Sequence, residues 1–75
     1  MKITNATGAW QSVTTAADEI WQVREGSVEI DVDATEGDRG GLLLQHLQSV
    51  TVTSGETVYY KLASGTSAVI SRNAL

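Results

Sequence analysis

Apolar and polar positions alternate through most of this chain. In "SVEIDVD" (27–33), Val28, Ile30 and Val32 share one face, with Ser27, Glu29, Asp31 and Asp33 on the other. "EIWQVR" (19–24) alternates in the same way ahead of Glu25-Gly26. A two-residue loop at that dipeptide sets Val23 opposite Val28 and Trp21 opposite Ile30. The spacing therefore predicts a hairpin with both apolar sets on a common face. "AWQSV" (9–13) reads as an earlier strand entered from the "NATG" turn, and "TTAAD" (14–18) as a loop.

The last third repeats the pattern around Gly55. A two-residue loop of Ser54 and Gly55 would oppose Val52 to Thr57 and mismatch the apolar faces. A three-residue loop, Thr53-Ser54-Gly55, opposes Val50 to Val58 and puts glycine where a positive φ is wanted. In that register Val58, Tyr60 and Leu62 face the core, while Thr57, Tyr59 and Lys61 point away. Tyr59 is then expected to be covered by another subunit or partner. "GLLLQHLQ" (41–48) reads as strand or irregular extended chain running into "SVTVT", with a short helical turn as the alternative. "ATEGDRGG" (34–41) reads as a polar, mobile, exposed loop. "SAVIS" (67–71) makes a final strand before an "RNAL" tail. The whole predicts an all-β fold, a small β-sandwich or β-barrel of about six or seven short antiparallel strands. It forms a single domain over residues 1–75, with 1–8 and 72–75 as extended arms.

Composition changes this picture by limiting what can hold it together. A chain of 75 residues buries only about 60% of the surface that its unfolded form exposes. There is no cysteine and one histidine, His46, so disulfides and thiolate metal sites are excluded and a His-based zinc site is short of ligands. Oligomerisation, or docking on a larger assembly, is the support that remains. The net charge is −4 and the five basic residues are scattered, which argues against a nucleic-acid partner. No apolar run approaches the length of a membrane span, and "MKITNATGAW" has no apolar h-region of a secretory signal. The "NAT" sequon at Asn5–Thr7 carries little weight without such a signal.

No catalytic chemistry emerges. His46 sits among leucines with no nucleophile signature nearby, and reads as a structural or surface histidine. "DVDATEGD" (31–38) fails as an EF-hand begun at Asp31, because the glycine position is Glu36 and the final glutamate position is Leu42. A looser calcium set of Asp31, Asp33, Glu36 and Asp38 is outweighed by a solvated strand face leading into a polar loop. "GDRGG" lacks the strand, helix and Lys-Ser/Thr of a phosphate loop. No metal or cofactor is expected. Trp21 and Tyr60 read as core, whereas Trp10 and Tyr59 are the freer aromatics, of the kind enriched at interfaces.

Two segments, Glu19–Ile30 ("E-x-W-x-V-x-x-G-x-V-x-I") and Val50–Arg72 ("V-x-V-x-x-G-x-T-V-Y-Y-K … S-A-V-I-S-R"), resemble the small all-β accessory proteins encoded in the structural modules of tailed bacteriophages. That resemblance implies a non-enzymatic virion component, such as a capsid decoration or cement protein, a head fibre or a tail-associated part. Its partners would be itself, with a trimer expected, and a lattice such as a major capsid protein, on a particle assembled in the host cytoplasm. The expected interface residues are Trp10, Leu43, Leu44, Tyr59, Arg72 and Leu75. The competing readings are a carbohydrate- or ligand-binding β-module, using Trp10, Tyr59 and the 34–41 loop, and a small regulatory or enzyme-accessory domain.

Overall fold

Two long strands organise the molecule. In the computed structural model, which describes residues 2–32 and 41–75, the elements are β1 (Lys2–Ala6), β2 (Gln11–Thr14), β3 (Glu19–Val32), β4 (Leu42–Leu44), β5 (Ser49–Val52) and β6 (Thr57–Ala74). All pairings are antiparallel and belong to one six-stranded sheet. β3 and β6 pair along their length, from Glu19↔Ala74 to Val32↔Val58. β1 and β2 lie end to end along the free side of β6, and β4 and β5 lie end to end along the free side of β3.

This sheet is folded on itself. An 18-residue strand would extend about 60 Å if straight, yet the longest dimension of the molecule is 29 Å. The bend lies at Gly26 and Gly65, both with positive φ (73° and 80°). Four residues of β6, Gly65–Ala68, lie opposite the single residue Gly26, so the outer strand takes the longer path round the corner. Successive register shifts at Val23/Glu25, Glu25/Ser27 and Ser27/Val28 are bulges, the usual device for a sharp local twist. One half then holds β2, the first part of β6, the second part of β3, and β4. The other holds β1, the end of β6, the start of β3, and β5. Trp21 from one half meets Tyr60 from the other edge-to-face, with ring centroids 5.8 Å apart at 71°. Val23, Val28, Ile30, Val52, Val58, Ala68 and Ile70 complete a core closed to solvent.

The all-β expectation stands, but its two hairpins do not. Glu25-Gly26 is a bulged bend inside one strand, so Trp21 opposes Val50 and Arg72 rather than Ile30, and Val23 opposes Ile70 rather than Val28. At Gly55 the turn exists, with the Glu56 N–H donating to the Thr53 carbonyl at 3.2 Å and φ +87° at the glycine. Its flanking strands do not pair: β5 and β6 lie on opposite sides of β3. The turn therefore arches from one half of the folded sheet to the other, as does the 15–18 segment beside it. The two arches are clasped at buried Thr15. Its N–H donates to the Glu56 carbonyl (3.0 Å), its carbonyl accepts from Gly55 N–H (2.8 Å) and its hydroxyl donates to the Thr53 carbonyl (2.9 Å). Thr15→Val keeps the shape and removes the hydroxyl bond. We expect it to cost about 1–3 kcal/mol, read as a lowered urea midpoint with an unchanged m-value.

The ends of the described chain are in the sheet rather than extended as arms. Lys2 pairs with Arg72, and the N–H of Leu75 donates to the Asp18 carbonyl at 2.9 Å. "LLLQHLQSV" divides into β4, a turn and β5, with the Gln48 N–H donating to the Gln45 carbonyl at 2.9 Å. The expectations for the 34–41 loop and for Asp33, Glu36 and Asp38 fall, apart from Gly41, outside the described residues.

Candidate interaction surface

The six residues singled out in the sequence fall in three places. Trp10, Tyr59 and Leu43 come together on the outward face of the half built from β2, β6, β3 and β4. Across that face Tyr59 opposes Ser12 and Asp31, while Lys61 and Leu43 both oppose Glu29. The Lys61 ammonium lies 5.0 Å from the centre of the Trp10 ring and 3.6 Å from Glu29 Oε2. That last distance is an ion pair too long to be a hydrogen bond, and the buried Oε2 accepts none. With a cation already on its ring, Trp10 presents a reduced face for sugar stacking.

The predicted wet face is correct in direction and wrong in exposure. Glu29 and Asp31 do point outward, but Asp31 is buried and Glu29 half-buried. Part of the cover is the backbone at Gly41: a Cβ there would collide with Asp31 Oδ1 and come within 2.7 Å of the Ile30 carbonyl oxygen. Only glycine allows β4 to lie so close.

Leu44 and Arg72 have internal roles instead of surface ones. Leu44 packs in the core, contributing about 1.5–3 kcal/mol of burial. Arg72 reaches inward to Glu19, with Nε donating to Oε1 at 2.9 Å and Nη2 to Oε2 at 3.2 Å. Trp21 Nε1–H donates to the same Oε1 at 2.9 Å, and the guanidinium lies over the Trp21 ring at 4.9 Å. The hydrogen bonds from Arg72 hold the Glu19 carboxyl below the ordinary carboxylate range, against the opposing effect of burial. Burial pushes the Tyr60 phenol above its usual range, with the charge of Arg72 acting in the other direction. Sequence reasoning missed this triad, although the signal was present. Glu19 has the parity of Trp21 and Val23, and Arg72 that of Ala68 and Ile70, so alternation points both charges inward.

The exposed apolar surface gathers at the β4 end. Leu42, Leu43 and Leu47 are 53%, 55% and 54% exposed. Leu47 also adopts a left-handed conformation, φ 68°, the only non-glycine among the described residues with positive φ. Such a backbone costs a leucine about 1–2 kcal/mol, and leaving the side chain in water forgoes its burial as well. His46, in the same turn, is exposed. Leu75 is exposed at the far end of β6. Among the described residues no group of three or more His, Cys, Asp or Glu side chains is placed to hold a metal ion. Comparison with protein-family models, with curated proteins and with solved structures finds no match.

Proposed function

We propose that this chain is a non-catalytic assembly protein, a small β-domain that associates with itself and binds the surface of a larger protein lattice, as a capsid decoration or cement protein does. The observation that carries this reading is the β4–β5 edge. Residues 40–55 contain no Asp, Glu, Lys or Arg, and within that stretch three leucines stand more than half exposed. One of them is held at a strained backbone angle. An observed outlier of this kind points to a site where the strain is offset by something else. Part of that offset is internal, since the Leu47 N–H donates to the Val23 carbonyl at 2.8 Å and its carbonyl accepts from Gln22 Nε2 at 3.1 Å. Covering the leucines with protein would add about 25 cal/mol per Å² of apolar area removed from water. The phage setting comes from the resemblance of Glu19–Ile30 and Val50–Arg72. Those segments account for most of the two long strands that pair to form the middle of the sheet.

Leu47→Gly separates the two parts of this argument. The isolated subunit should be unchanged or more stable by up to about 1 kcal/mol, as strain relief outweighs the entropy cost of glycine, while binding to the assembly weakens. The reading as a whole is tested by the genes beside the coding sequence and by sedimentation of the purified chain with capsid shells from the same source. A major capsid protein gene next door and co-sedimentation support it. A metabolic operon, with no binding to any shell, overturns it.

A further inference from the structure

We propose that β4 is a self-pairing edge: two copies of this chain meet antiparallel through Leu42–Leu44, about a twofold axis at Leu43, and continue the sheet from one subunit into the next. The proposal rests on the self-association in the reading above and gives it a place and a symmetry, twofold where the sequence suggested three.

β4 ends the strand order β1-β6-β3-β4, so among the described residues no strand pairs with its far side. Protein edges of this kind are normally guarded by lysine, proline or an inward-pointing charge. None of these is present here, since the chain has no proline and residues 40–55 no charge. Brevity, at three residues, is the guard that β4 does have. The edge instead offers leucine on both sides of the strand, Leu43 outward and Leu42 on the core side, each more than half exposed, with Leu47 at the rim.

Charge places that self-association on this edge. A chain of net charge −4 repels itself wherever acidic surfaces meet, so self-contact is least opposed along an uncharged strip. Antiparallel pairing about a twofold is self-complementary: Leu43 opposes Leu43, and Leu42 opposes Leu44, of the second copy. The opposite edge is also poor in charge, residues 3–17 having none. It begins at Lys2, however, and Ile3 is its one strongly exposed large apolar residue.

The absence of cysteine makes single-cysteine variants of the full chain unambiguous reporters. In the proposed pair the two Leu43 Cα atoms lie about 4.5–5.5 Å apart, within the range of a disulfide. Leu43→Cys should therefore cross-link to a dimer under mild oxidation, while Thr4→Cys on the opposite edge stays monomeric. Leu43→Lys, an exposed substitution, should keep the circular dichroism spectrum and cooperative melting of the native chain. It should also raise the dimer dissociation constant more than about tenfold. A native chain that self-associates but cross-links through Thr4→Cys, or whose mass is unmoved by Leu43→Lys, overturns the β4 edge and leaves self-association intact. A native chain that is monomeric at every concentration up to millimolar overturns both, and leaves lattice binding to be judged by the sedimentation above.

Discussion

Arg72→Ala is expected to be among the most damaging single changes in this protein, at about 3–5 kcal/mol. A domain of this length has a total stability of about 4–11 kcal/mol, so much of the population should unfold at modest urea concentration. The damage comes from what remains: a Glu19 carboxylate still buried, still accepting from Trp21 Nε1, but without its bidentate cation. Packing is lost as well, because the guanidinium lies over the Trp21 ring. The paired change Glu19→Leu with Arg72→Met should be milder than Arg72→Ala, since it removes both charges together. It should still cost something, because Trp21 Nε1–H then has no acceptor. Fluorescence-detected urea melts of the two variants check the order.

The same triad sets an acid limit. The folded state lowers the Glu19 pKa, chiefly through its hydrogen bonds with Arg72. Its contribution is therefore complete above the unfolded-chain value, about 4.3, and is lost as pH falls through the lower folded value. Stability should be insensitive to this group near neutrality and decline in the acid range. Glu19→Gln should remove that part of the acid slope, and a slope unchanged in the variant would assign acid sensitivity to other carboxylates.

Gly26→Ala should cost about 2–5 kcal/mol, the second large effect. A Cβ at this position would sit 2.7 Å from the Ser67 carbonyl oxygen and 3.1 Å from the Ala68 Cβ, at φ +73°. Backbone strain contributes about 1–2 kcal/mol and overpacking a further 1–3 kcal/mol. Gly65→Ala is the internal control. It has a similar φ of +80° but open space where the methyl would go, so only the first part applies. Urea midpoints should therefore fall in the order native, Gly65→Ala, Gly26→Ala. Equal losses would show that the tight corner between β3 and β6 is not what Gly26 serves.

Much of the candidate surface was legible because a strand's facing is local. Tyr60 is core and Tyr59 faces outward beside Asp31, although the hairpin register used to reach that result does not form. Parity alone was sufficient. The same parity turns Leu43 outward and Leu44 into the core, a distinction not drawn when both were expected at an interface. Arg72 was read as part of a C-terminal tail and as an interface residue, whereas its parity with Ala68 and Ile70 continues through the end of β6 and turns it inward to Glu19.

By itself, then, the sequence determined strand content, most facings, the turn at Gly55 and the uncharged leucine-rich stretch, all of which follow from side-chain chemistry and spacing. Only the tertiary structure decided which strand lies beside which. Glu25-Gly26 suits a two-residue loop with matched apolar faces, and nothing within residues 19–33 argues against it. Bending there instead lets β3 pair with β6 throughout and with β4 and β5 on its other side. The folded sheet then closes Trp21 on Tyr60. Hydrogen-bond partners in a sheet are a choice among distant segments, made by the core as a whole, and local alternation is the same for every choice.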